Sequence, residues 1–429
     1  MALQNSGVPI SLSDVNTELD LAALAEINLD GVSVRDLFGK NTGAIAMSNG
    51  YGKSSFGIHT ASTLTRTITC ATPSVHPLTP NFGSTLSVSG NHGIIAARSQ
   101  YSGNTTGIPS VYVHSMTDGS LLRTFDTVIA GLGAHQIQGL DVDGDLAVIG
   151  SGQSNSGVGL AYIVDVTDGT VKHTLSNPNP AANSSGGNDH FGHQACISGN
   201  YVAIGAYTDT HDTTPASRVT GANIGTVYVY EADTGALQFT LFNTGSGDYF
   251  GQHIDMGGGK IIIMSQQNVS IYSLTDGSFE GFLSTPDSKT FGGKVRLAGN
   301  RAACVVAGNR NYPSRVHIYN ATTRVLEGTI QSPYTHPAFA HDNFGTTMDM
   351  DGDNIVIGAQ SAAYDGVSNP IGTGKAYSYR LDTRVLVAAM SHPSGASTTE
   401  KNFAGSVHLD RNKLLMKGAE KVYQYTLTD

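Results

Sequence analysis

Across residues 189–241 the apolar positions fall in four short runs, each bounded by Gly, Asn or Asp. The text opens D-H-F-G at 189–192, reaches S-G-N at 198–200 and continues Y-V-A-I-G-A at 201–206. After a polar stretch it resumes as T-V-Y-V-Y at 226–230, turns at A-D-T-G (232–235) and ends in A-L-Q-F-T-L. Runs of this length, rich in Val, Ile, Tyr and Phe and separated by turn residues, predict a four-stranded antiparallel sheet. One such sheet leaves an apolar face uncovered, so copies are expected to stack.

The same text recurs from Asn81 onward. Phe82, Phe191, Phe250, Phe291 and Phe344 each stand eight residues before a glycine: Gly90, Gly199, Gly258, Gly299 and Gly352. Gln136 with Gly144 makes a degenerate second copy, and Phe403 with Arg411 in the glycine place makes a seventh. Third-strand text of the V-Y-V-Y kind follows in each, at 111–114, 161–164, 227–230, 270–273, 316–319, 376–379 and 422–425. The seventh copy reaches Thr428-Asp429 without a fourth strand. L-T-R-T-I-T-C at 64–70 is similar to L-L-R-T-F-D-T at 121–127, and is predicted to supply that strand and close a ring without open edges. The expected fold is all-β, a seven-bladed β-propeller over 64–429 closed by an N-terminal strand, after a linker at 56–63.

Residues 1–55 carry a different pattern. I-S-L-S-D-V at 10–15, I-N-L-D-G-V at 27–32 and I-A-M-S-N-G at 45–50 each alternate apolar and polar before a Ser or Asp able to cap a short helix. One helix is expected over 30–38, ending at Gly39. This small α+β arm has too little core to stand alone and needs a partner surface or self-association. Ile10, Leu12, Ile27, Leu29, Ile45, Met47 and Tyr51 are its expected docking positions.

Composition agrees with strands and tight turns: 52 glycines, and only 14% charged residues. A net charge of −10 without a basic stripe argues against a nucleic-acid partner. No segment approaches the roughly 18 apolar residues of a membrane span, and M-A-L-Q-N-S-G-V-P-I has no secretory pattern. Cys70, Cys196 and Cys304 sit in strand-like text and are expected as free thiols acting as small hydrophobes. No cofactor or metal is expected.

Strand alternation puts the one-to-two and three-to-four turns on one face. The long strand two-to-three loops and the blade-to-blade loops then share the other, the usual place for binding. Those loops carry Tyr101, Asn104, Tyr207, Asp209 and His211, then Tyr334, His336, Tyr364 and Asp365, types that stack on sugars or bond hydroxyls. Asp141-Val-Asp143-Gly-Asp145 and Asp349-Met-Asp351-Gly-Asp353 have their glycine fourth, not sixth as in a calcium loop, and read as hairpin-turn chemistry. His190 and His193 form H-x-x-H on a strand and not on a helix, which argues against a zinc site. Five residues after the Phe place stand Ser87, Asp141, Cys196, Asp255, Arg296, Asp349 and His408, expected to line the axis. Arg296 between Asp255 and Asp349 predicts a structural inter-blade ion network, with a catalytic carboxylate pair as the alternative.

The segments P-I-S-L-S-D-V-N-T-E-L, V-S-V-R-D-L-F-G and G-A-I-A-M-S-N-G-Y-G-K-S resemble the N-terminal segment of tailed-phage tail-fibre and tail-associated virion proteins, over residues 9–54. Asn49-Gly50 departs from the acidic and aromatic residues common before Y-G-K-S there. The F-G and V-I-G-A text resembles the FG-GAP type of propeller repeat. The resemblance implies a non-enzymatic tail protein, synthesised in the host cytoplasm and oligomeric in the virion. Residues 1–55 would bind other tail proteins, and the loop face a host-surface glycan or protein. A glycan-degrading tailspike-type enzyme and a purely structural decoration are the alternatives.

Overall fold

The computed structural model describes residues 61–70, 81–98, 109–126, 129–132, 137–180, 189–209, 224–245, 248–266, 268–286, 290–306, 308, 314–333, 343–360, 374–393, 403–418 and 421–428. The arm, with Ile10, Leu12, Ile27, Leu29, Ile45, Met47 and Tyr51, lies outside them.

Seven four-stranded antiparallel sheets form a closed ring. Each first strand adjoins the first strands of both neighbours, and Val407–Asp410 of the seventh blade meets Asn81–Ser89 of the first. The third blade shows the pattern: Gln194–Ser198 innermost, then Tyr201–Ala206, Thr226–Glu231 and Leu237–Phe242 at the rim. The seventh blade takes its outer strand from the other end of the chain. Ala61–Thr69 runs antiparallel along Lys421–Thr428, from Ala61 opposite Thr428 to Thr69 opposite Lys421. Ala61, Ser62 and Thr63, expected in the linker, belong to this strand, because each finds a backbone partner on an edge that would otherwise stay open.

The core is divided into seven apolar layers, one between each pair of adjacent blades. The recurrent Phe explains itself here. Phe82, Phe191, Phe250, Phe291, Phe344 and Phe403 are buried. Each lies 5.7 to 6.3 Å, ring to ring, from a third-strand tyrosine: Tyr112, Tyr228, Tyr272, Tyr319, Tyr377 and Tyr423. Such tilted and edge-on pairs add to the apolar area they bury. In the second blade, without this Phe, Ile129, Leu132 and Ile137 fill the layer around Tyr162.

One hydrogen bond repeated in every blade fixes the faces. The N–H of Met116, Val166, Ala232, Leu274, Ala321, Leu381 and Leu427, near the end of each third strand, donates to a carbonyl in the one-to-two turn. The acceptors are Asn91, Asp145, Asn200, Gly259, Asn300, Asp353 and Asn412. The short turns therefore share one face, and Ala61 enters the ring there, opposite Thr428. Before these acceptors the chain takes a positive φ, 56° at Gly199 and 55° at Arg411. Glycine adopts it without the cost that the arginine bears.

Candidate functional site

Side-chain alternation along each first strand points every second residue toward the axis and the next blade. A first strand has a ladder partner on one side only, so the N–H groups on its other edge need acceptors. The neighbouring blade supplies them. Ser87 Oγ accepts from Val142 N at 3.2 Å, Asp141 Oδ2 from Ile197 N at 2.9 Å, and Asp255 Oδ2 from Leu297 N at 2.7 Å. Asp349 Oδ2 accepts from Leu409 N at 2.7 Å. Two residues further along, a second rung repeats the device. Ser89 Oγ accepts from Gly144 N at 3.0 Å and Asp143 Oδ2 from Gly199 N at 2.7 Å. Asp351 Oδ2 and Asp410 Oδ2 take the N–H of Arg411 and Gly90, both at 2.5 Å. The D-V-D and D-M-D texts are thus two-rung clamps between blades. Asp141 and Asp349 are the axial first-strand residues expected; Asp143 and Asp351, read as turn residues, are also in the strand, and only the Gly-Asp that follows each pair turns the chain.

The expected ion network is present, with an asymmetry. Arg296 Nε lies 2.8 Å from Asp349 Oδ1, while Asp255 attracts Arg296 at longer range. His408 joins the network as a bridge the sequence did not reveal: Nδ1 is 3.2 Å from Asp349 Oδ2 and Nε2 is 3.6 Å from Asp141 Oδ1. Burial opposes charge on this imidazole, but the two carboxylates overcome it and raise its pKa. Asp141 is likewise pushed up by burial, yet His408 and its N–H and O–H donors hold it below the ordinary carboxylate range. Asp255 gains less from its partners, and burial pushes its carboxyl up to about 7.

Asp349, His408 and Ser87 stand in the order of a hydrolase relay, with His408 Nε2 3.2 Å from Ser87 Oγ. The chemistry of a nucleophile is missing. Ser87 is fully buried, and its hydroxyl donates to Asp141 Oδ1 at 2.7 Å while accepting the Val142 N–H. The two carboxylates that raise the His408 pKa also hold its ring between them, and the Ser87 hydroxyl is already committed to Asp141. The trio clamps blades six, seven and one.

On the loop side of this floor the axis widens into a cavity of about 140 Å3. Thr85, Gln194, Lys294, Thr347 and Ser406, from five different blades, line it above Asp141, Asp255, Arg296 and His408. Burial and the neighbouring Arg296 lower the Lys294 ammonium to about 8, with Asp255 opposing.

Of the loop residues expected to bind, Tyr101, Asn104, His211, Tyr334, His336, Tyr364 and Asp365 lie outside the described residues. Tyr207 is half-buried and central to a ring cluster, stacked on His190 at 4.9 Å, against His193 at 4.5 Å and near Tyr249 at 6.0 Å. Asp209 corrects its expectation. It is 2% exposed, and its Oδ2 accepts the Tyr228 hydroxyl at 2.8 Å, so it anchors the base of the loop and offers no free carboxylate. The H-x-x-H pair packs its rings on Tyr207, and among the described residues no group of three or more His, Cys, Asp or Glu could hold a metal ion. Cys196 and Cys304 are buried, Cys70 is half-buried, and all three are free thiols.

No protein-family profile matches the chain, and no curated protein matches it in sequence. Among solved structures it is similar to BamB from Moraxella catarrhalis, at 13% identity and a TM-score of 0.45, over 85% of this chain and 100% of that one. The chain is a seven-bladed β-propeller.

Proposed function

We propose that the chain is a bacteriophage tail or tail-fibre protein, made in the host cytoplasm and carried in the virion as a homo-oligomer. Residues 1–55 dock on other tail proteins, and the long-loop face of the propeller recognises a host-surface glycan or protein. The observation that carries this reading is the closing strand: Ala61 pairs with Thr428 on the short-turn face, so the arm joins the ring opposite the long loops. Attachment through the arm and recognition by the loops would then engage opposite faces of the propeller, the polarity a tail component needs. The text of residues 9–54 supports the virion assignment by its resemblance to tail proteins. Recognition without chemistry is the reading favoured on the axis, where Asp141, Asp255 and Asp349 are each committed to a main-chain N–H.

Two phage variants test the halves separately. Deleting residues 1–55 should give particles that lack the propeller by mass spectrometry; particles retaining it would refute docking through the arm. Replacing residues 210–223 by a short Gly-Ser turn should leave the particle intact and lower adsorption at least tenfold. Unchanged adsorption would refute recognition by that loop.

A further inference from the structure

We propose that the axial cavity binds the carboxylate of an acidic sugar, with Lys294 as its counter-charge. This deepens the reading of the loop face as glycan-recognising and rests on it.

Three cations approach the axis, and two of them are occupied. Arg296 is paired with Asp349, and His408 with Asp349 and Asp141. Lys294 makes no hydrogen bond or ion pair within 4 Å among the described residues. Its nearest attraction is Asp255, which already accepts the Leu297 N–H and is shared with Arg296. A cation facing a cavity with no anion against it is costly unless a ligand supplies one.

The groups around Lys294 suit a carboxylate. The Gln194 amide and the Ser406 hydroxyl face the same cavity, and neither bonds another described residue. Both are neutral donors of the kind that would complete the lone pairs of two carboxylate oxygens. Burial lowers the pKa of His193, to about 4, and of His253 well below its usual value, and the nearby Lys294 adds to both shifts. The Nδ1 of each is buried without a hydrogen-bond partner. Of the cations lining the cavity, Arg296 and His408 are paired with carboxylates, so Lys294 is the one left to meet a monoanion.

Size and surroundings narrow the class. The cavity of about 140 Å3 has room for a carboxylate group beside Lys294, Gln194 and Ser406. His193, next in sequence to the cavity-lining Gln194, packs on Tyr207, whose half-buried ring cluster with His190 and Tyr249 is of the kind that stacks on a sugar.

Calorimetric titration of the full chain with D-glucuronate, D-glucose and glucose 6-phosphate tests the assignment. Glucuronate should bind saturably at one site per chain and glucose should not. Lys294→Gln should weaken glucuronate binding at least tenfold with cooperative thermal unfolding retained, and Gln194→Ala should weaken it severalfold independently. Absence of saturable glucuronate binding, undiminished binding by both variants, or tighter binding of the phosphate would each overturn the proposal. Adsorption separates it from the reading it rests on. If replacing residues 210–223 abolishes adsorption while no acidic sugar binds, the cavity assignment alone fails. If glucuronate binds through Lys294 but adsorption is indifferent to both changes, recognition by this face fails instead.

Discussion

Asp255 shows how an axial carboxylate can be structurally employed and still carry an electrostatic cost. Its Oδ2 takes the Leu297 N–H, but burial raises its carboxyl to about 7 against the pull of Arg296. Between pH 4 and 7 the folded protein therefore holds a proton that the unfolded chain has released. The contribution of this group to stability is greatest on the acid side and declines as pH rises toward 7. Asp255→Asn keeps an acceptor for Leu297 and removes the titration. Its melting temperature relative to wild type should rise from pH 5 to pH 8, by the equivalent of about 2–4 kcal/mol; a flat or falling difference would contradict the assignment. Asp351, also raised to about 7 by burial, pushes the wild-type profile the same way. The membership of this ring was legible because one residue per copy falls five places after the Phe. The double role of His408 was not, since it depends on the ring closing blade seven onto blade one.

The blades also interlock at their rims, by a complementarity invisible within any single repeat. Where the three-to-four turn ends in glycine, the preceding blade covers it with a long side chain: Arg66 over Gly119, Arg123 over Gly169, His173 over Gly235 and Phe239 over Gly277. Arg66, Arg123 and His173 also bond the turn carbonyls of Thr117, Thr167 and Asp233. In blades five and six the turn residue is itself arginine, Arg324 or Arg384, held at φ 61° and 59°, and the preceding strand presents Gly281 or Gly328 beneath it. Gly328→Arg should cost about 1–3 kcal/mol by overpacking. Arg384→Gly should recover most of that in the double variant, and a denaturant double-mutant cycle finding simple additivity would show that the two do not share the space. The closing strand is tested in the same manner. Ile68 is 3% exposed in the layer between blades seven and one, so Ile68→Ala should destabilise by about 2–5 kcal/mol. A neutral effect would mean that this strand does not complete the ring. Strand count, closure and turn placement were readable because each blade repeats one text. The start of the closing strand was misjudged by three residues because Ala61, Ser62 and Thr63 are polar or small, and only the open edge beside Lys421–Thr428 makes them strand. Asp209 was misassigned for a related reason. Its polarity reads as exposure in sequence, whereas the Tyr228 hydroxyl that buries it comes from a different strand.

For the whole molecule, seven similar layers of core and two rungs of axial clamps make the propeller a frame with two unlike faces. One is tiled by short turns tied to one another in every blade, and the chain from the arm enters there. The other receives the long connections, the Tyr207 cluster and the axial cavity. The central claim is that these faces divide attachment from recognition, and cryo-electron microscopy of the virion, with the chain traced, tests it most directly. The account predicts the turns at Asn91, Asp145 and Asn200 facing the particle, with the ends of the long loops, at Tyr207 and Tyr249, facing outward. A reconstruction in which the long-loop face is buried against the particle and the short turns face solvent would contradict it.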